Sequence, residues 1–252
     1  MRHRAFALII GAVLACAAAT QARAGMFDRL QQQHFGDIEP GTYQAGDRVR
    51  FTLDRYQNEF LVRFAGQPEV YVLYADFASL GGRVMRYDSG GVAIQVTGWG
   101  AMTIYTDDTP DGLPTTRIGD SATPALAQIS MQQMQSAAED ESSHLTYVRG
   151  LHITFFADPN TVADGATRAL AFDAMENAAR GIDRFTANAA ARAAFGQRIN
   201  AVRLQTSAKP LIKITEKTLI VTFNPQTGYF GRASSRAIAF ALGKMFGVPV
   251  AN

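Results

Sequence analysis

From Thr42 onward the chain alternates apolar and polar side chains with a period of two. In Arg48 to Tyr56, Val49, Phe51 and Leu53 alternate with Arg50, Thr52 and Asp54, the signature of a half-buried strand. Phe60, Val62 and Phe64 repeat the theme, and Glu69 to Tyr74 is more uniformly apolar. Gly81-Gly82 breaks the pattern, Val84 to Tyr87 resumes it, and Asp88-Ser89-Gly90-Gly91 reads as a turn. Val92, Ile94, Val96, Met102 and Ile104 then share one face of a long strand, with Gly98 and Gly100 in the same register. These segments predict a meander of about five antiparallel strands, strongly bent or partly closed.

Asp107 to Thr123 is rich in Asp, Thr, Pro and Gly and reads as a loop between two halves. Beyond it the period becomes helical. Thr123-Pro124 looks like a cap with proline at the first helical position, opening a Gln- and Met-rich helix to about Ala138. Leu145 to Phe156 reads as extended. Thr161 and Asp164 suggest a capping box before Phe172, Met175, Ala179, Ile182 and Phe185 at helical spacing. A second helical stretch runs from Thr186 to about Phe195. Ala201 to Thr206 is a strand, and Leu211 to Phe223 is a hairpin turned at Glu216-Lys217. Ser234 caps a final helix striped by Ile238, Leu242 and Met245 or Phe246. The expected class is α+β: an N-terminal antiparallel β-meander or partial barrel at 25–120, followed by a mixed α/β half at 121–252. The two halves form either separate domains or one continuous domain.

Before Thr42 lie two other segments. Residues 25–41 form a lead-in anchored by Phe27, Leu30 and Phe35. Residues 1–24 read as a cleavable export signal: Arg2 and Arg4 make a basic head, Ala5 to Ala19 is uncharged and apolar, and Ala22-Arg23-Ala24 is a small-x-small cleavage site. The expected location is the periplasm or the exterior. Val13-Leu14-Ala15-Cys16 also resembles a lipobox, so a lipid anchor at Cys16 is the competing pattern.

Cleavage changes the charge balance. It removes three of the 24 Lys and Arg residues and none of the 22 Asp and Glu, leaving 21 cations against 22 anions. The basic character of the whole chain is then partly a property of the signal, which argues against nucleic-acid partners. Cys16 is the single cysteine, so a chain cut after Ala24 has no disulfide. No second apolar run reaches bilayer length.

Chemistry is sparse. His34, His144 and His152 have no helical ligand spacing, and no metal or cofactor is expected. The order of C-terminal elements is loosely similar to zinc peptidases, but Ala237 to Phe246 lacks His-Glu-x-x-His. Asp107-Asp108-Thr109-Pro110-Asp111-Gly112 resembles the opening of a calcium loop, yet Ile118 stands where the bidentate glutamate belongs. Ser89 lacks the flanking glycine of a nucleophile elbow. A carboxylate pair for hydrolysis needs no local spacing and stays open. The remaining candidates are ligand contacts: Trp99 and Tyr105 as a stacking platform, with Arg83 beside the first Gly-rich stretch. The competing reading of Gly98 and Gly100 is a bulge or a close backbone approach.

Leu80-Gly81-Gly82-Arg83-Val84, Tyr87-Asp88-Ser89-Gly90 and Gly98-Trp99-Gly100 together resemble an uncharacterised exported alphaproteobacterial family, domain of unknown function 4908. Met102-Thr103, Gly112-Leu113-Pro114, Leu219-Ile220-Val221, Gly231-Arg232 and Ser234-Ser235 add to the similarity. The resemblance implies export and an envelope location, and carries no activity or catalytic residue. The expected function is non-catalytic binding of an envelope component or partner protein. The alternative is a hydrolase of cell-wall or lipid material using unidentified carboxylates, and a third reading is an accessory subunit. An enzyme would gather acids from both halves in one pocket, a binding module would offer a groove with exposed aromatics, and a subunit would expose a large apolar patch.

Overall fold

The computed structural model describes residues 38–250, so the export signal, Cys16, the lead-in anchors and His34 lie outside the described residues. From Pro40 on, the chain forms one compact unit. Its first part is a closed eight-stranded antiparallel barrel in simple meander order. The strands are β1 (Gly41–Ala45), β2 (Val49–Tyr56), β3 (Glu59–Phe64), β4 (Val70–Phe77), β5 (Arg83–Tyr87), β6 (Val92–Val96), β7 (Met102–Thr106) and β8 (Thr109–Gly119).

Period-two alternation sends Phe51, Leu53, Val62, Leu73, Met85, Ile94 and Ile104 into the barrel, all essentially without solvent exposure. Their registers agree: Leu53 faces Val62, Leu73 faces Tyr87, and Ile94 faces both Met85 and Ile104. A barrel of eight strands has an interior that such side chains fill. The uniform run in β4 has a separate cause. Val70 and Val72, with Leu61 of β3, point outward and are buried beneath Tyr229 of the second half.

Two expectations are corrected here. The meander has eight strands rather than five, because Gly41–Ala45 forms a strand of its own, the predicted long strand is two strands folded at Thr97–Ala101, and the predicted Asp107–Thr123 loop is largely β8. Its sequence shows little apolar alternation because most of its side chains face water. It is held by backbone pairing to β7 on one side and β1 on the other, which closes the barrel and removes both free edges.

The second part is a four-stranded sheet of order β11-β12-β10-β9, made of β9 (Thr154–Ala157), β10 (Ala201–Thr206), β11 (Leu211–Thr215) and β12 (Thr218–Phe223). β9, β10 and β12 run parallel, and β11 returns antiparallel at the edge. The helices are α1 (Met131–Arg149), α2 (Gly165–Thr186), α3 (Ala189–Arg198) and α4 (Ser235–Phe246), with a 3-10 turn at Pro225–Gly231. α2 supplies much of the core through Leu170, Met175, Ile182 and Phe185. Its Gly181 lets α4 come close: a Cβ there would lie 2.7 Å from Cβ of Ile238.

The caps differ from expectation in an instructive way. α1 begins not at Thr123-Pro124 but at Ser130, where Ser130 and Gln133 form a reciprocal capping box. It continues through the stretch read as extended and stops at Gly150, whose φ of 66° suits glycine. The extended part shrinks to the four residues of β9. Asp164, rather than Thr161, caps α2, and Asn188 caps α3. The edge hairpin does turn at Glu216-Lys217, and Ser234 does cap α4.

Candidate functional site

The two parts meet where barrel turns face the start of α4. In an up-and-down meander the β3–β4, β5–β6 and β7–β8 turns share one end, and each carries an acid: Glu69, Asp88 and Asp107. A helix N-terminus presents unpaired N–H groups and a partial positive charge, so carboxylates belong there. The backbone N–H of Ser234 donates to Asp88 Oδ2 at 2.8 Å, and the Ser234 hydroxyl donates to Asp88 Oδ1. Ser235 repeats this with Glu69, its N–H donating at 2.7 Å and its hydroxyl at 2.6 Å. Burial pushes the Asp88 carboxyl above its ordinary range, opposed by the Ser234 bonds and by Arg232.

Arginines complete the junction. The buried Arg232 donates to Asp173 of α2 and, at 2.6 Å, to the Val70 carbonyl. Asp107 accepts from Arg184 of α2 and, at 2.6 Å, from Arg236 of α4. The Arg236 guanidinium also sits 4.3 Å from the Tyr87 ring centroid, and burial lifts the Tyr87 phenol to about 12.

Beside this junction opens a cleft of about 760 Å³ between α1, α2 and the β3–β4 and β7–β8 turns. Six carboxylates line it against two arginines. Four of the six are engaged: Glu69 and Asp107 as above, Glu176 with Arg180, and Asp183 with Arg149 at 2.6 Å. Asp140 and Glu141 of α1 are not, among the hydrogen bonds of the described residues. Desolvation, and then the negative charge of Glu176, hold the Glu141 carboxyl above its usual range, while Arg180 and His144 pull the other way. The described residues contain no group of three or more His, Cys, Asp or Glu placed to hold a metal ion. The calcium-like stretch is the β7–β8 turn and the start of β8.

A family model, domain of unknown function (DUF4908), matches residues 22–242. The chain belongs to that family. Comparison with curated proteins and with solved structures finds no match. The matched residues take in the barrel, most of the α/β half and the carboxylate–serine junction that joins them. No helix among the described residues is long and apolar enough to cross a membrane.

The sequence candidates lie elsewhere. Trp99 is at the tip of the β6–β7 turn, 78% exposed. Tyr105 lies on β7, its hydroxyl donating to Gln95 Oε1 at 3.0 Å. Arg83 is buried with the interior parity of Met85 and Tyr87, its guanidinium 4.9 Å from the Phe77 ring. Trp99 and Arg83 share a barrel end, whereas none of the three lines the acidic cleft. Of the cleft residues, His144 and Asp107 stood out in the sequence, each for a metal role. Glu141 left no signal beyond membership of the polar run Glu139–Ser143.

Proposed function

We propose that the chain is an exported envelope protein that binds, without transforming, a small amine-bearing ligand in the acidic cleft. Export is supported by the order of charge, apolar run and small residues at 1–25. Binding is supported by one observation above the others: acids from both halves converge in the cleft, and of its six carboxylates Asp140 and Glu141 make no hydrogen bond among the described residues. Glu69 and Asp107 hold the two halves together, Glu176 and Asp183 pair within the second half, and Asp140 and Glu141 supply negative charge to a ligand from solvent. Titration calorimetry with spermidine tests this. Saturable binding that weakens roughly tenfold in Asp140→Asn/Glu141→Gln is expected, consistent with about 1.4 kcal/mol for two partly screened charges. Binding indifferent to that double change sinks the reading.

A hydrolase is the second reading, favoured by the Glu141 carboxyl, which desolvation and the neighbouring Glu176 raise above its usual range. Two acids whose environments separate their proton affinities can serve as acid and base. Turnover of cell-wall or lipid material by the purified protein, abolished by Glu141→Gln, would replace binding with catalysis.

A further inference from the structure

The outer wall of the barrel holds another cavity, opposite in sign to the cleft. It measures about 360 Å³ and lies against β1, β2 and β3. Strand parity decides its lining: Phe51 and Val62 turn inward, so Arg50, Thr52 and Arg63 turn outward, with Thr42 beside them on β1. Register sets their spacing. Thr42 and Arg63 face Thr52 from either side, and Arg50 stands diagonal to Arg63. Long side chains at diagonal positions are within reach of one another, so the wall brings two guanidiniums together.

Arg63 is half-buried, yet it makes neither hydrogen bond nor ion pair among the described residues. Its charge is felt at the Tyr229 phenol. Arg50 engages one nitrogen, Nε donating to Gln44 Oε1 at 3.2 Å. The Thr52 hydroxyl oxygen is buried and has no hydrogen-bond partner. Buried polar atoms are nearly always paired, so this one calls for a partner from outside the chain.

No acid lines the cavity. The acids on the outer faces of β2 and β3 are Asp54 and Glu59, both nearer the other barrel end. Asp54 Oδ1 accepts from the Ser121 hydroxyl at 2.6 Å, with Oδ2 buried and unpartnered, and Glu59 accepts from Ala75 N–H at 3.0 Å. Asp120 pairs with Arg117 at 2.6 Å, and Asp47 is exposed on the β1–β2 turn. Positive charge therefore dominates where the arginines meet.

We propose that this cavity binds a phosphate group, free or on a small ester, between Arg50 and Arg63, with the Thr52 hydroxyl donating to one oxygen. Two guanidinium forks and a hydroxyl offer more donors than a carboxylate's two oxygens take up, whereas a phosphate can accept from all three. The cavity is at the small end of ligand pockets, which leaves room for little beyond that group. The site is independent of what fills the cleft.

Calorimetric titration of the full chain with glycerol phosphate, at constant ionic strength, tests this. The expected result is saturable binding that Arg63→Gln and Arg50→Gln each weaken by roughly tenfold or more, the effect of losing a hydrogen-bonded charge. Arg63→Lys keeps the charge without the fork and should fall in between. With no bonded partner to lose, Arg63→Gln should keep the unfolding temperature of the unliganded protein. Inorganic phosphate titrated alongside identifies the source: equal affinity makes the free ion sufficient, and a tighter ester shows that its substituent is held as well. Acetate binding as tightly as phosphate overturns the inference. So does phosphate binding that survives both arginine-to-glutamine changes, or no saturable binding at all.

Discussion

The two ends of one barrel are built from the same kind of turn and carry opposite chemistry. At one end, Glu69, Asp88 and Asp107 meet serine hydroxyls, helix N–H groups and three arginines. At the other, Phe77, Leu80 and Trp99 face water. Because successive turns of a meander alternate between ends, a polar and an apolar set interleaved along the sequence become two separate surfaces. One surface is consumed by folding and the other stays exposed.

That contrast can be broken most severely at Arg232. Arg232→Met should lower unfolding stability by about 3–5 kcal/mol in urea titrations, because Asp173 and the Val70 carbonyl lose their charged donor inside the junction. An equally drastic change at the far end, Phe77→Ser, should stay within about 0.5 kcal/mol. Equal losses at the two ends would show that the tip is structural after all.

A milder cut removes the cap. Ser234→Ala deletes the hydroxyl that accepts from Ala237 N–H and donates to Asp88, and about 1 kcal/mol should go with it. The smallest effect is a change of slope. Burial raises the folded-state affinity of Asp88 for its proton above the unfolded value near 3.8, so the folded chain retains a proton that the unfolded chain has released. Stability contributed by this group must then fall as pH rises through the window above 3.8, and return on acidification. Asp88→Asn should flatten stability measured across mildly acidic pH, only in part, since burial also raises Glu59 and Glu141.

Strand and helix positions were legible where burial is one-sided. Val49, Phe51 and Leu53 announced β2, and the spacing of Met175, Ile182 and Phe185 announced α2, because each element buries a single face. β8 was not legible: a strand recruited by two neighbours' backbones needs no apolar alternation of its own. The break at Thr97–Ala101 was hidden because Val96 and Met102 keep the same parity on both sides of the turn. The cleft was invisible for another reason. Asp107, Glu141 and Glu176 come from three distant elements, and no local spacing records their meeting.

The order of residues by itself determined the antiparallel start, the mixed α/β character of the second half, the Ser234 cap and the family, since these depend on short-range periodicity and local chemistry. Tertiary structure alone decided the closure of the barrel, the pairing of Glu69 and Asp88 with α4, and the gathering of acids at one end and aromatics at the other. Those outcomes depend on which distant groups share a dry or a wet neighbourhood, and that is settled only when the chain packs.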